Sequence, residues 1–180
     1  MKLFYLGAAW LLLLTACSPK ENSRIQIIRE WQNKEILFPR HLQARVLGKD
    51  TICDDLLHKT CKVLVHVDSS GCTPCRLHLY QWHKIIQEYK GETEKLAFVF
   101  IVHAQNPKKL DIICQENKFN YPVFYDKSGT TNRLNRFPKD IAFHTFLLGP
   151  GNKVLLSGDP IGRPPVWELY RKKIAEYLNK

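Results

Sequence analysis

Residues 62–75, Lys62-Val63-Leu64-Val65-His66-Val67-Asp68-Ser69-Ser70-Gly71-Cys72-Thr73-Pro74-Cys75, decide the fold. The first six residues are rich in β-branched side chains and read as a strand. A polar, glycine-containing break ends it. From Pro74 onward, Leu79, Trp82, Ile86 and Tyr89 recur at steps of three and four, the spacing of one helix face. A Cys-x-x-Cys at such a strand-to-helix junction places Cys72 at a helix N-terminus. There the free N–H groups and the positive end of the dipole favour thiolate over thiol. Position carries the argument, because the tetrapeptide alone is also half of a zinc site.

Outward from this junction the chain alternates. On the N-terminal side His41 to Leu47 predicts a strand and Gly48 to Thr60 a loop, with Arg24 to Trp31 a short helical or irregular segment. On the C-terminal side Gly91 closes the first helix, and Leu96 to Val102 is a continuous apolar run suited to a strand buried on both faces. Asn106-Pro107 opens a helix with Leu110, Ile113 and Cys114 on its inner side. Tyr121 to Tyr125 predicts a strand, residues 126–129 a turn, and Thr131 to Arg136 a short helix. Phe143 to Leu148 and Lys153 to Ser157 flank Gly149-Pro150-Gly151-Asn152 as a hairpin. Val166 to Leu178 ends the chain as a helix. Strands alternating with helices and closing in a hairpin plus helix predict a three-layer α/β sandwich with a central mixed sheet.

The N-terminus sets the compartment. Lys2 precedes a nearly all-apolar run, Leu3 to Ala16, too short to span a bilayer comfortably and suited to a signal peptide. Its end, Leu14-Thr15-Ala16-Cys17, resembles the bacterial lipobox, which implies a lipid on Cys17. Residues 1–16 are then a lipoprotein signal peptide, 17–36 a lipid-anchored tether and N-terminal segment, and 37–180 the folded domain. Outside the cytosol disulfides persist. The formal net charge is +10, but the basic residues are dispersed, and export excludes nucleic acid. A solvated surface attracted to anionic headgroups or acidic clients is the remaining use of that charge.

The element order, with Cys72-Thr73-Pro74-Cys75 after the first central strand, resembles the thioredoxin superfamily. The lipobox, the extra βα unit around Tyr121 to Arg136 and the hairpin after Thr145 resemble its membrane-tethered, TlpA-like extracytoplasmic thiol–disulfide oxidoreductases. The resemblance implies Cys72 as the exposed nucleophile and Cys75 as the resolving thiol. It implies no cofactor beyond the dithiol, exported protein clients with disulfides or thiols, an unidentified redox donor in the envelope, and residence on the periplasm-facing side of a bacterial membrane. The active-site loop is then Thr73 and Pro74 together with Phe143, His144 and Thr145. Three positions depart from the family pattern. Phe143 stands where the family carries a cis-proline, with His144 after it. His66 occupies the position of a buried acid, where it serves as proton acceptor for Cys75 or as a satisfied core histidine. Gly71 replaces the tryptophan that usually precedes the first cysteine.

Cys53 and Cys61 bracket a short loop, which suits a structural disulfide in an oxidising compartment; two free thiols or an auxiliary redox pair are the alternatives. Cys114 reads as a buried small hydrophobe. His66 and His144 with the two active-site cysteines would be the only route to a metal site, and without a second Cys-x-x-Cys none is expected. The expected activity is reduction of protein disulfides through a mixed disulfide. The competing reading is a non-catalytic thioredoxin-fold binding module, which would need neither cysteine.

Overall fold

The computed structural model describes residues 19–69 and 77–179. The elements in chain order are helix α1 (Pro19–Trp31), strands β1 (Gln43–Val46) and β2 (Lys49–Thr51), and the short helix α2 (Asp55–His58). Strand β3 (Cys61–Val67), helix α3 (Leu79–Glu88), strand β4 (Leu96–Val102) and helix α4 (Pro107–Glu116) form the middle of the fold. Strand β5 (Val123–Tyr125), helix α5 (Thr130–Asn135), strands β6 (Thr145–Leu148) and β7 (Val154–Ser157) and helix α6 (Pro164–Leu178) complete it. The strands make one seven-stranded mixed sheet, ordered β2-β1-β5-β4-β3-β6-β7. β3 pairs parallel with β4 and antiparallel with β6, so the strand leading to the Cys-x-x-Cys is central. This is the thioredoxin-like α/β sandwich that the element order predicts.

Central strands explain the continuous apolar runs. β3 and β4 are buried at every position, because helices or loops cover both faces of the sheet. One face packs Trp82 of α3, Leu110 and Ile113 of α4, and Tyr170 and Ile174 of α6. The opposite face packs Trp31, Ile36, Cys53, Phe124, Phe137 and Phe146. The segment after α1 thus contributes to the core. It also lies along β7: Asn33 N–H donates to the Val154 carbonyl (2.9 Å), Val154 N–H to Lys34 (2.9 Å) and Ile36 N–H to Asn152 (3.0 Å).

Three expectations change. The loop Gly48 to Thr60 contains β2 and α2, and Leu47-Gly48 is a tight hairpin turn with φ of 51° and 81°. Positive φ at both turn residues matches the right-handed twist of the paired strands. A Cβ at Gly48 would lie 3.1 Å from Cβ of Asp111, so glycine is required twice over. Gly48→Ala is expected to lower stability by about 1–3 kcal/mol, read from the urea midpoint. Secondly, the helix expected to run on from Pro74 is interrupted: His78 takes φ of 45°, a left-handed conformation no α-helix passes through, and the regular helix starts at Leu79.

Thirdly, Cys53 and Cys61 are free, buried thiols rather than a disulfide. The sheet explains it. Cys61 packs in the apolar cluster on one face and Cys53 in the cluster on the other. Burial pushes Cys61 up to about 11, and burial together with Asp54 and Asp55 does the same for Cys53. Neither holds appreciable thiolate near neutral pH, so they do not form an auxiliary nucleophilic pair. Cys114 is buried as expected, and its thiol is also pushed up to about 11 by burial.

Candidate functional site

Cys72, Thr73, Pro74 and Cys75 lie outside the described residues, as does Cys17 with residues 1–16. The described part of the candidate site is the end of β3, the strand that precedes the Cys-x-x-Cys in sequence, and the loop before β6 that pairs with it. β3 and β6 pair antiparallel through Val65 and Thr145, and the ladder continues one step: His66 N–H donates to the His144 carbonyl at 3.0 Å. The two histidines named from sequence are therefore neighbours. Both are buried, at 2% and 5% exposure, and their Nδ1 atoms are 3.4 Å apart.

Each imidazole is packed on a common aromatic platform. Phe137 lies 4.5 Å from the His66 ring and 5.6 Å from the His144 ring, centroid to centroid. Phe137 in turn packs on Trp31 and Phe146. His144 Nε2 is 2.8 Å from the Pro138 carbonyl. These restraints fix both ring planes.

The loop before β6 is held from both sides. The Asp140 carboxylate accepts from Ala142 N–H at 3.0 Å and starts a single 3₁₀ turn, Ile141–Phe143. Phe143 is buried by that turn, and among the described residues no peptide bond is cis. From the other side, Asp159 N–H donates to the Ala142 carbonyl and Gly158 N–H to the Thr145 carbonyl, both at 2.8 Å. The fully buried Tyr170 hydroxyl donates to the Gly158 carbonyl at 2.9 Å and lies 3.1 Å from that of Thr145. Burial pushes the Tyr170 phenol well above its ordinary value, so it remains a donor. Tyr170→Phe is expected to cost about 1–2 kcal/mol, because the Gly158 carbonyl loses its buried donor. A thermal or urea midpoint within error of the parent would mean that this tie contributes nothing.

A cavity of about 160 Å³ opens at this end of the sheet, lined by His66, His78, His144, Thr145, Asp159 and Arg163 among others. The sequence alone pointed to His66, Phe143, His144 and Thr145. It gave no warning of Phe137 or Tyr170, whose roles depend on contacts between distant segments. Among the described residues no group of three or more His, Cys, Asp or Glu converges to hold a metal ion.

No family model matches the chain. One curated relative, sporulation thiol-disulfide oxidoreductase A of Bacillus subtilis (strain 168), is 26% identical over 89 residues, 49% of this chain and 52% of the relative. The match thus spans about half the length of that relative. Among solved structures, a candidate thiol:disulfide interchange protein DsbE from Chlorobium tepidum superposes with a TM-score of 0.58 at 18% identity, over 82% of this chain and 97% of its own. A candidate protein disulfide isomerase from Bacteroides thetaiotaomicron gives 0.57 at 16% identity, over 81% and 89%. A thioredoxin-like protein from Porphyromonas gingivalis gives 0.54 at 19% identity, over 82% and 95%. The structural likenesses carry the fold, and the curated relative carries the link in sequence. On these grounds, the chain has a thioredoxin-like fold and is similar in sequence, over about half its length, to a thiol–disulfide oxidoreductase.

Proposed function

We propose that this protein is a lipid-anchored, extracytoplasmic oxidoreductase that reduces protein disulfides through Cys72 and Cys75. The observation that carries the reading is positional: Cys72-Thr73-Pro74-Cys75 follows, in sequence, the central strand whose end bears the buried His66. The Cys72 thiolate attacks one sulfur of a client disulfide, giving a mixed disulfide and a client thiolate. Cys75, deprotonated in turn, displaces the second client sulfur. The client leaves with two thiols, and the protein keeps a Cys72–Cys75 disulfide, so two electrons and two protons have moved. His66 accepts the Cys75 proton during the second displacement. Phe143, His144 and Thr145 form the opposing rim. No cofactor beyond the dithiol is required.

The lipobox at Cys17 supports tethering, and the anchored domain faces the periplasm, where its clients are exported proteins. A donor in the envelope returns it to the dithiol state. The deciding experiment equilibrates the full chain in detergent with dithiothreitol and glutathione buffers and reads the Cys72–Cys75 reduction potential. A value near that of thioredoxin, roughly −270 mV, supports a reductant. A value of roughly −120 to −180 mV replaces that direction with an oxidase or isomerase. A pair that forms no reversible disulfide removes the enzyme and leaves a binding module.

A further inference from the structure

We propose that the open part of the β7 edge is a docking groove for an extended, apolar stretch of a client polypeptide, which adds there as a further strand of the sheet. The inference rests on the redox reading above for the origin of the partner, and it names the surface that holds it.

The edge is only partly covered. Residues 33–36 bond to Asn152 and Val154 and bridge to Lys153, and go no further along β7. Leu155 to Ser157 lie beyond, and among the described residues no strand pairs with them from outside. The ladder with β6 shows which groups face outward. Phe146 stands opposite Ser157, and Gly158 N–H donates to the Thr145 carbonyl at 2.8 Å. In an antiparallel ladder that makes Phe146 and Ser157 a non-hydrogen-bonded pair, so the N–H and C=O of Ser157 point away from β6. The Ser157 hydroxyl oxygen is shielded from solvent, and among the described residues it too has no hydrogen-bond partner. An extended backbone laid along the edge supplies both a donor and an acceptor to this residue.

The edge lies at the bottom of an apolar groove. Ile28 and Gln32 of α1 form one wall, and Val166, Leu169 and Tyr170 of α6 the other, around a space of about 230 Å³. Ile28 and Leu169 are exposed at its rim. Main-chain bonds tolerate many sequences while the walls select an apolar side chain, which suits varied clients. The groove also leads to the candidate site. Thr145, Asp159 and Arg163 line the cavity that holds His66 and His144, and Asp159 is two residues past Ser157, roughly 7 Å of strand. A peptide bonded to Ser157 therefore has its next residues at the mouth of that cavity. A second folded copy fits this edge poorly. Its open row is roughly 10 Å long, and a stable interface between proteins buries on the order of 1,200 Å² or more.

The test measures binding without redox chemistry. The probe is fluorescein-labelled, S-carboxymethylated insulin B chain, an unfolded apolar peptide with no thiol to exchange. The full chain in phospholipid nanodiscs is expected to bind it, read by fluorescence anisotropy against empty discs, and to protect the Ser157 amide from hydrogen exchange. Leu169→Glu places a charge in one wall, and Ser157→Pro removes the outward N–H from an edge strand that tolerates proline. Each is expected to weaken binding about tenfold or more, so one variant that folds badly leaves the other to decide. Ile112→Glu, at an exposed apolar position on α4, should leave the affinity unchanged. In dithiothreitol-driven insulin reduction, Leu169→Glu should raise KM and leave kcat as it was. No binding by the parent, unaltered affinity in the folded groove variants, or an unprotected Ser157 amide overturns the proposal. Protection that grows with protein concentration in the absence of peptide overturns it in favour of a second copy. A parent that binds the probe but reduces no insulin overturns the redox reading and leaves the groove.

Discussion

Cys72→Ser abolishes dithiothreitol-driven insulin reduction by the full chain, with an expected loss on the order of 10³-fold or more, and Cys75→Ser leaves the chain covalently caught on its clients. The reason is protonation state. A serine hydroxyl stays protonated at neutral pH and is a poor nucleophile, whereas a cysteine attacks a disulfide through its thiolate. With Cys75 replaced, attack by Cys72 still occurs but nothing displaces the second client sulfur, so the mixed disulfide accumulates. The measurement is a non-reducing gel of envelope extracts from cells carrying each variant, beside the insulin assay. Bands of higher mass that collapse on reduction, present with Cys75→Ser and absent with Cys72→Ser, are the expected pattern. The same rate in the parent and in Cys72→Ser would end the enzyme reading. The other three described cysteines do not complicate the result, because burial keeps their thiols protonated.

Trp31→Ala is expected to lower stability by about 3–5 kcal/mol, the range for removing a large buried aromatic side chain. Trp31 is 4% exposed, with Phe137 and Phe146 at 5.6 and 5.2 Å between centroids. The Lys34 ammonium sits 3.8 Å from its ring centroid on the outer side, adding a cation–π contact. The loss extends to the site, because Phe137 is also the surface on which His66 and His144 lie. A urea titration should show an earlier midpoint with an unchanged slope, and insulin reduction should fall even where the variant is fully folded. A loss below about 1 kcal/mol would make the end of α1 an ornament on a core that stands without it.

Much of this architecture is legible in the sequence because periodicity reports burial. The uniform apolar runs at residues 62–67 and 96–102 identify central strands, and the spacing of Trp82, Tyr170 and Ile174 identifies helix faces. The hairpin at Leu47-Gly48 is less visible, since leucine is not a residue that announces a left-handed turn. The disulfide expectation failed for a topological reason: nearness in sequence does not place Cys53 and Cys61 on the same side of the sheet. At the site, His66, one of the three positions that depart from the family pattern, meets His144, the residue after the departing Phe143. Their meeting follows from strand register, which places His144 one step beyond the last β3–β6 pair. The Phe137 platform and the Tyr170 tie join segments far apart in the chain, and no local pattern foretells them.

The segment from Asn33 to Ile36 has a second consequence, concerning the solubility of the protein. β7 is the last strand of the sheet, and its outer N–H and C=O groups would otherwise invite another chain to pair with them. Residues 33–36 already occupy the first part of that row, with a further bridge between Glu35 and Lys153. The opposite edge defends itself differently, through a three-residue strand that presents Lys49 and Asp50 to solvent. A fragment cut at residue 37, where the sequence alone suggests the domain starts, would expose an unpaired strand edge beside the apolar patch left by Trp31 and Ile36. Such a fragment should self-associate on a sizing column where a chain beginning at residue 19 stays monodisperse. The short segment that follows α1 thus guards the sheet against its own copies.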